Sequence, residues 1–336
     1  MPLECEYGKN CFIQNYVDID YTSAVKDYQC GKMTYDGHTG IDFRLIDIAQ
    51  MEAGVNALAV ADGVVTGIRK DDQTEFAYYN YRQFRNPATN PIDSKLACAN
   101  KIEIKHSDGY RTQYCHLKPG SITLNVGDKV NVGDRIAKLG MSGNTEFPHL
   151  HIGVYNDNQK KNNNFTAIDP FTNLPVSANS PCNTQANRNT LWEQTVYNYL
   201  QYTTGKILSF HISDQKPDII SPLTKSLDAE KQKVFVDRAR RGLAFREDKL
   251  TNTSNYIFLW AEFMAVKSGD IITYDVSSTS GNILSNTTTL SKDLAQYFSY
   301  IGKQLKTKIR SGQYTFTVSL KRNGTVISKE TKTIDI

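Results

Sequence analysis

The stretch that decides the fold spans residues 143–155 and reads GNTEFPHLHIGVY. Its second half has the alternation of a β-strand, in which residues two apart face the same side. His149 and His151 are therefore expected on one face, with the apolar residues between and after them on the other. Two adjacent imidazoles suit a metal site. The alternative, two structural core histidines, would need a separate hydrogen-bond partner for each ring.

Two histidines do not complete a zinc site, which usually takes three protein ligands and keeps one position open when it is catalytic. Residues 35–43 read YDGHTGIDF, so His38 and Asp42 offer an imidazole and a carboxylate four residues apart. The glycines of this motif permit a tight backbone path. His116, in the segment YCHL, is a further candidate. The three segments together predict one metal site.

These motifs resemble those of the lysostaphin and LytM-type zinc endopeptidases, which cut peptide bonds in bacterial peptidoglycan. Family members carry H-x-G-x-D, then a histidine after a strand, and then H-x-H. The matching residues here are His38, Gly40, Asp42, His116, His149 and His151. The resemblance covers about residues 31 to 175. It implies an antiparallel β-sheet peptidase domain that binds Zn²⁺.

The resemblance also implies that five of these residues divide into metal ligands and catalytic residues. His38, Asp42 and His151 correspond to the metal ligands. His116 and His149 correspond to the catalytic pair beside the open position, where they accept a proton from water or stabilise the oxyanion. The chain contains no H-E-x-x-H motif, so the glutamate base of helical zinc proteases is absent and the two histidines are expected to take its role.

Composition excludes several other classes. The 39 basic residues nearly balance the 35 acidic ones, which gives no electrostatic case for nucleic acid or for an anionic membrane surface. No apolar run reaches about 18 residues, so no transmembrane segment is expected. No signal peptide is visible at Met1, which we interpret as a trimmed start. A length of 336 residues predicts two domains.

The cysteines predict a disulfide framework. They are Cys5, Cys11, Cys30, Cys98, Cys115 and Cys182. The first three lie in a short polar N-terminal segment, which has few other means of being held to the rest of the fold. Cys98 and Cys115 flank a predicted hairpin, so a bridge between them is plausible, and Cys182 could reach back to the N-terminal group. Disulfides indicate a periplasmic or secreted protein; the alternative is free buried thiols in a cytosolic one.

Short β-branched runs separated by glycine and aspartate turns predict a mainly β chain, with antiparallel sheet from Ile41 to Val154. Residues 71–100 interrupt this pattern with tyrosines, arginines and prolines. Such an insertion suits one wall of a peptide or glycan groove. The equal alternative is a solvated loop tied down by Cys98.

The second half of the chain predicts a β-sandwich of immunoglobulin-like kind, with a strong hairpin signal at Asn323-Gly324. A short helix is predicted within residues 189–202, with Asn189 or Thr190 as its N-cap. The predicted domains are a disulfide-linked N-terminal segment (1–30), a zinc metallopeptidase domain (31–182), a linker with a short helix (183–204) and the β-sandwich (205–336).

Three hypotheses follow for function. The first is a zinc endopeptidase of peptidoglycan cross-links, with a D-Ala to diaminopimelate bond expected in a Gram-negative host and a glycine bridge as the second choice. The second is an inactive relative that binds peptidoglycan or activates another hydrolase. The third is an adhesin with an incidental metal site. The C-terminal domain is expected to place the enzyme or bind a protein partner, and occlusion of the groove by the N-terminal segment stays open.

Overall fold

The computed structural model of the chain describes residues 1–20, 22–70, 97–143, 145, 147–161, 164–176, 181–182, 189–214 and 250–336. The described residues form two compact units, one within Met1–Tyr202 and one made of residues 203–214 and 250–336. Most of the 71–100 insertion lies outside the described residues, as does most of the 177–185 stretch interpreted as a linker.

The first unit is built on antiparallel strands. They are β1 (Cys11–Asn15), β2 (Gly40–Leu45), β3 (Asn56–Leu58), β4 (Gly63–Arg69), β5 (Lys101–Lys105), β6 (Tyr110–Cys115), β7 (Lys129–Val130), β8 (Arg135–Lys138), β9 (His149–Lys161), β10 (Asn164–Asp169) and β11 (Leu174–Pro175). The main sheet has the order β1-β2-β9-β6-β5-β4-β7, with β10 and β11 branching from β9, while β3 and β8 form a separate pair.

Alternation along the two central strands sets the core and the opposite face. Ile41, Phe43 and Leu45 of β2 are fully buried, as are Leu150 and Ile152 of the neighbouring β9. Burial of such side chains is worth about 1.5–3 kcal/mol each and fixes which face of the sheet is turned inward. The residues that alternate with them lie on the other face, and they include the predicted Asp42, His149 and His151.

A helix that the sequence did not predict, α1 (Ile48–Ala53), follows β2 in the described part of the sheet region. Asp47 accepts a hydrogen bond from the Gln50 backbone N–H, and Gly54 ends the helix with a positive φ of 96°. The expectation that residues 41 to 154 form antiparallel sheet without a helix is therefore wrong at this point. An aspartate followed three residues later by glutamine is close to a capping box, and this signal could have revealed the helix.

The second helix, α2 (Gln194–Tyr199), is the short helix predicted for residues 189–202, but its start differs. Glu193 is the N-cap and makes no side-chain cap bond, so the predicted cap at Asn189 or Thr190 is wrong. The Thr190 hydroxyl instead donates to the Pro170 carbonyl at 2.9 Å, which fixes it to the preceding turn. Among the described residues, no helix has the length and apolar character needed to cross a membrane.

Three disulfides confirm the predicted framework. The pairs are Cys5–Cys11, Cys30–Cys182 and Cys98–Cys115, and no cysteine is free. The Cys98–Cys115 bridge spans the β5–β6 hairpin as expected. The Cys30–Cys182 bridge ties the N-terminal segment to the chain 152 residues further on, and such a long closed loop is where a crosslink restricts the unfolded chain most.

The second unit is a β-sandwich. Its strands are β12 (Lys206–Ser213), β13 (Tyr256–Val266), β14 (Ile271–Ser278), β15 (Gly281–Thr289), β16 (Leu294–Gln304), β17 (Gln313–Arg322) and β18 (Thr325–Asp335). One sheet has the order β12-β13-β16 and the other β15-β14-β17-β18. This division of consecutive strands is that of immunoglobulin-like sandwiches. The two inner faces enclose an apolar core that includes Ile257, Phe263, Val276 and Phe316.

Candidate metal centre

Pairing of β2 with β9 places two of the predicted ligands directly opposite each other. Asp42 is the register partner of His151, and antiparallel partners share one face of the sheet. Gly40 leaves room for the ring, because a Cβ at this position would lie 2.5 Å from Nε2 of His151 and 2.6 Å from the Ile152 carbonyl oxygen. Sterics therefore explain the glycine of the H-x-G-x-D motif, because a side chain here would clash with the His151 ring.

Three ligand atoms converge at this point. Nε2 of His38 lies 3.1 Å from Oδ1 of Asp42 and 3.1 Å from Nδ1 of His151. Nδ1 of His151 lies 2.9 Å from the same carboxylate oxygen. His38 and Asp42 are buried, and His151 is partly exposed. Among the described residues, His38, Asp42 and His151 have ligand atoms close enough together to bind one metal ion.

The ring of His38 is oriented by the backbone. Its Nδ1 lies 2.7 Å from the Tyr16 carbonyl oxygen, which only accepts hydrogen bonds, so Nδ1 carries the proton and Nε2 presents a lone pair to the other two ligands. A carbonyl partner on the far nitrogen is the usual arrangement for a metal-binding histidine. The neighbouring Tyr35 ring stacks on this imidazole with centroids 4.4 Å apart.

The donor set fits a zinc ion. Ligands about 2 Å from a tetrahedral ion are separated from one another by about 3.3 Å, close to the spacings between His38, Asp42 and His151. Two imidazoles and one carboxylate are also a common three-residue set for catalytic zinc. Lone pairs that converge on one point in a buried place cost free energy unless a positive group lies between them, and a cation would satisfy all three together.

The other two predicted residues lie next to this group without belonging to it. Nε2 of His149 is 3.5 Å from Oδ1 of Asp42, and the ring of His116 is 4.6 Å from that of His149, centroid to centroid. Nδ1 of His149 faces the Phe147 carbonyl at 2.9 Å, and Nδ1 of His116 faces the Ser142 carbonyl at 2.8 Å. In both rings Nε2 is therefore the nitrogen without a proton.

His116 is held in an unusual backbone conformation. Its φ of 60° lies in the left-handed region, which costs energy in a residue with a side chain. Its N–H donates to the Cys98 carbonyl at 3.0 Å, and its own carbonyl accepts from the Gly140 N–H at 3.0 Å. The Cys98–Cys115 disulfide adjoins the same turn. These contacts place the imidazole beside His149.

Burial and neighbouring groups shift the pKa values of Asp42, His116 and His149. Burial acts to raise the pKa of Asp42, but the imidazoles of His38 and His149 and the His151 hydrogen bond outweigh it and hold that pKa well below its ordinary value. Burial lowers the pKa of His116 well below its ordinary value, and the neighbouring His149 adds to the effect. Burial also lowers the pKa of His149, against the opposing charge of Asp42. The two rings outside the ligand group are thus neutral near pH 7.

All five predicted residues come together, and the two other histidines lie elsewhere. His106 bonds the Asp62 carbonyl and the Thr112 hydroxyl, and His211 stacks on Trp260 in the second unit. Sequence reasoning also missed a buried charged residue on this sheet face. It is Arg44, the register partner of His149, whose guanidinium lies 4.8 Å from the centre of the Phe147 ring, next to the turn before β9.

Part of the first unit is similar to known peptidases. Residues 36–164 match Peptidase family M23. A metalloprotease of Buchnera aphidicola subsp. Baizongia pistaciae, described as uncharacterized, is 32% identical over 121 residues, which are 35% of this chain and 23% of the relative. The glycyl-glycine endopeptidase ALE-1 of Staphylococcus capitis is 24% identical over 226 residues, 66% of this chain and 50% of the relative. The chain thus spans half or less of these relatives.

Among solved structures, the catalytic domain of lysostaphin from Staphylococcus simulans is similar at 21% identity and a TM-score of 0.29, covering 46% of this chain and 85% of that one. The histidine and aspartate group of this chain lies on an antiparallel sheet of the first unit. The residues that match Peptidase family M23, 36–164, contain all five residues of the cluster.

Proposed function

We propose that the chain is a zinc endopeptidase that hydrolyses peptide cross-links of bacterial peptidoglycan. The observation that carries the proposal is the convergence of His38, Asp42 and His151 on one point, with two further imidazoles at its edge. A bound Zn²⁺ would supply Lewis-acid chemistry, acidifying a water molecule so that it can attack an amide carbonyl near neutral pH.

The residues of the chain would then divide the work. His38 and His151 contribute ring nitrogens and Asp42 contributes Oδ1 to hold the ion. His149 and His116 each present an unprotonated Nε2 toward the same side, because their Nδ1 protons are bonded to backbone carbonyls. Either Nε2 can accept the proton of the attacking water, and once protonated it can donate to the developing oxyanion or to the leaving amine.

An inactive relative would lack some of the metal-binding or catalytic residues. In this chain all five are present and lie together, which argues against the inactive alternative. A periplasmic or secreted location is part of the proposal, supported by the three disulfides. The β-sandwich contributes no residue to the five-residue cluster, and we assign it a role in placing the enzyme or binding a protein partner.

Purified peptidoglycan sacculi test the proposal. Zinc-loaded protein should release cross-linked peptides from them, and a chelator should stop the release until zinc is restored. Mass spectrometry of the products identifies the new amine. Sacculi with D-Ala to diaminopimelate links are the expected substrate, and sacculi with glycine bridges are the alternative suggested by the similarity to ALE-1. Binding of sacculi by zinc-loaded protein without release of peptide would overturn the proposal in favour of the binding module.

A further inference from the structure

The N-terminal strand β1 lies beside the metal centre, although it precedes the residues that match the peptidase family. Ile13 pairs with Phe43, and Asn15 pairs with Asp42, so Gln14 is an extra residue in β1. This is a β-bulge, and its effect is specific. In a regular ladder Gln14 would stand opposite Asp42. The bulge brings Asn15 to that position, on the same face as the carboxylate.

The side chain of Asn15 completes the environment of the carboxylate. Its Nδ2 donates to Oδ2 of Asp42 at 2.9 Å, and both residues are buried. The other oxygen, Oδ1, faces His38 and His151. The Asn15 amide therefore occupies Oδ2 and leaves Oδ1 to bind a metal ion. Without the amide, a buried carboxylate oxygen would lose a charge-assisted hydrogen bond and the group would be free to rotate.

The next residue of the same strand end serves a second ligand. The Tyr16 carbonyl accepts from Nδ1 of His38, as described above, and it also accepts from the Thr34 hydroxyl at 2.8 Å. The Tyr16 N–H donates to the Met33 carbonyl at 2.7 Å, which fixes the position of this peptide unit. Two consecutive residues of the N-terminal segment thus contact two of the three ligands.

We propose that Asn15 is a positioning residue of the metal centre, which holds Asp42 in the orientation that binds zinc and so makes the N-terminal strand part of the site. This inference rests on the proposed zinc site, but not on peptidoglycan being the substrate. It also assigns the N-terminal segment a supporting role in place of the occluding role left open by the sequence.

The test compares two neighbouring amides in the full-length protein. Asn15→Leu keeps the side-chain shape and removes the donor to Asp42. Gln14→Met is the matched control, because Gln14 is also buried and its side-chain oxygen accepts from Arg44 at 2.9 Å, whereas Asn15 donates to Asp42. The readouts are the Zn²⁺ dissociation constant by competition with a chromophoric chelator and the visible absorption spectrum of the Co²⁺ form. Thermal unfolding of the metal-free proteins reports their stability.

Asn15→Leu should weaken zinc binding by about 10- to 100-fold and alter the Co²⁺ spectrum, the usual size of an effect on a partner of a metal ligand. Gln14→Met should leave zinc affinity within about twofold of the wild type, even where it lowers thermal stability. If Asn15→Leu does not fold, Asn15→Ala gives the same comparison with a smaller loss, since water can enter and donate to Asp42.

Zinc affinity within twofold of the wild type in the Asn15 variant would overturn the assignment. So would an equal loss in both variants, which would indicate a general effect of β1 on the fold, or a gain in peptidase activity, which would indicate occlusion. A wild-type protein that binds no zinc would instead refute the proposed function, so the two failures are distinguishable.

Discussion

The two units use the same antiparallel architecture and differ in what they bury. Along β17 in the sandwich, Tyr314, Phe316, Val318 and Leu320 point inward and polar residues lie between them, so the core is apolar. In β2 of the first unit both sets of alternating residues are buried, and the second set includes Asp42 and Arg44. One sheet face in the first unit is therefore committed to polar groups.

The difference implies that the residues that stabilise the sandwich are not the kind of residue that binds metal or acts in catalysis. Burying polar groups costs free energy unless each finds a partner, and in the first unit the partners are backbone carbonyls and one amide arranged around the imidazoles. The described core of the sandwich consists of aliphatic and aromatic side chains. We therefore expect substitutions in the sandwich core to change unfolding, and substitutions in the cluster to change metal binding and turnover.

The largest effect is expected from the sandwich. Phe316→Ala removes a fully buried ring and should lower the free energy of unfolding by about 3–5 kcal/mol, the usual cost of such a cavity. Val326→Ala on the exposed part of β18 is the control and should stay within about 0.5 kcal/mol. Denaturant unfolding measures both. Zinc content of the folded Phe316→Ala protein should equal that of the wild type, and a loss of zinc would break the separation.

A smaller effect is expected from Asp169, a buried carboxylate outside the cluster. Burial and the nearby charge of Asp27 raise its pKa to about 6, against hydrogen bonds from Thr172 and Phe171. The folded state therefore retains this proton when the unfolded chain, with a pKa of about 3.9, has lost it. Stability should fall by roughly 3 kcal/mol in total as the pH rises from well below 4 to well above 6, and about two thirds of this loss should fall between pH 4 and pH 6.

Asp169→Asn should lack this part of the pH dependence, because the amide is neutral throughout. Denaturant unfolding of metal-free wild-type and variant proteins across pH 4 to 7, with a chelator present, gives the two curves to compare. Their difference should change mainly between about pH 4 and pH 6. Parallel curves would show that Asp169 is ionised in both states and would contradict the raised pKa.

Most of the cluster could be predicted from the sequence because its five residues are chemical groups in recognisable motifs. Their supports could not, since the partners of His38, His116 and His149 are backbone carbonyls, which every residue carries. Asn15 was missed because a β-bulge decides which face it takes, and nothing in the local pattern marks the bulge.

The sandwich was predicted in outline for a similar reason. Strands with a clear apolar period, such as β13, carry the signal of a buried face. Strands β15 and β16 carry it less clearly. β15 is mostly exposed and polar, so it lacks the alternation that a buried face imposes, and β16 is recognisable mainly through its pairing with β13.

The most direct test concerns His149 and His151, which share one sheet face two residues apart. His149→Ala should still bind about one zinc ion per chain while turnover of cross-linked peptide falls by roughly 10²-fold or more, the contribution of a general base or oxyanion donor. His151→Ala should lose zinc, because only His38 and Asp42 remain as ligands. Elemental analysis and activity on the same preparations decide between the roles. Zinc lost in His149→Ala and retained in His151→Ala would contradict the assignment.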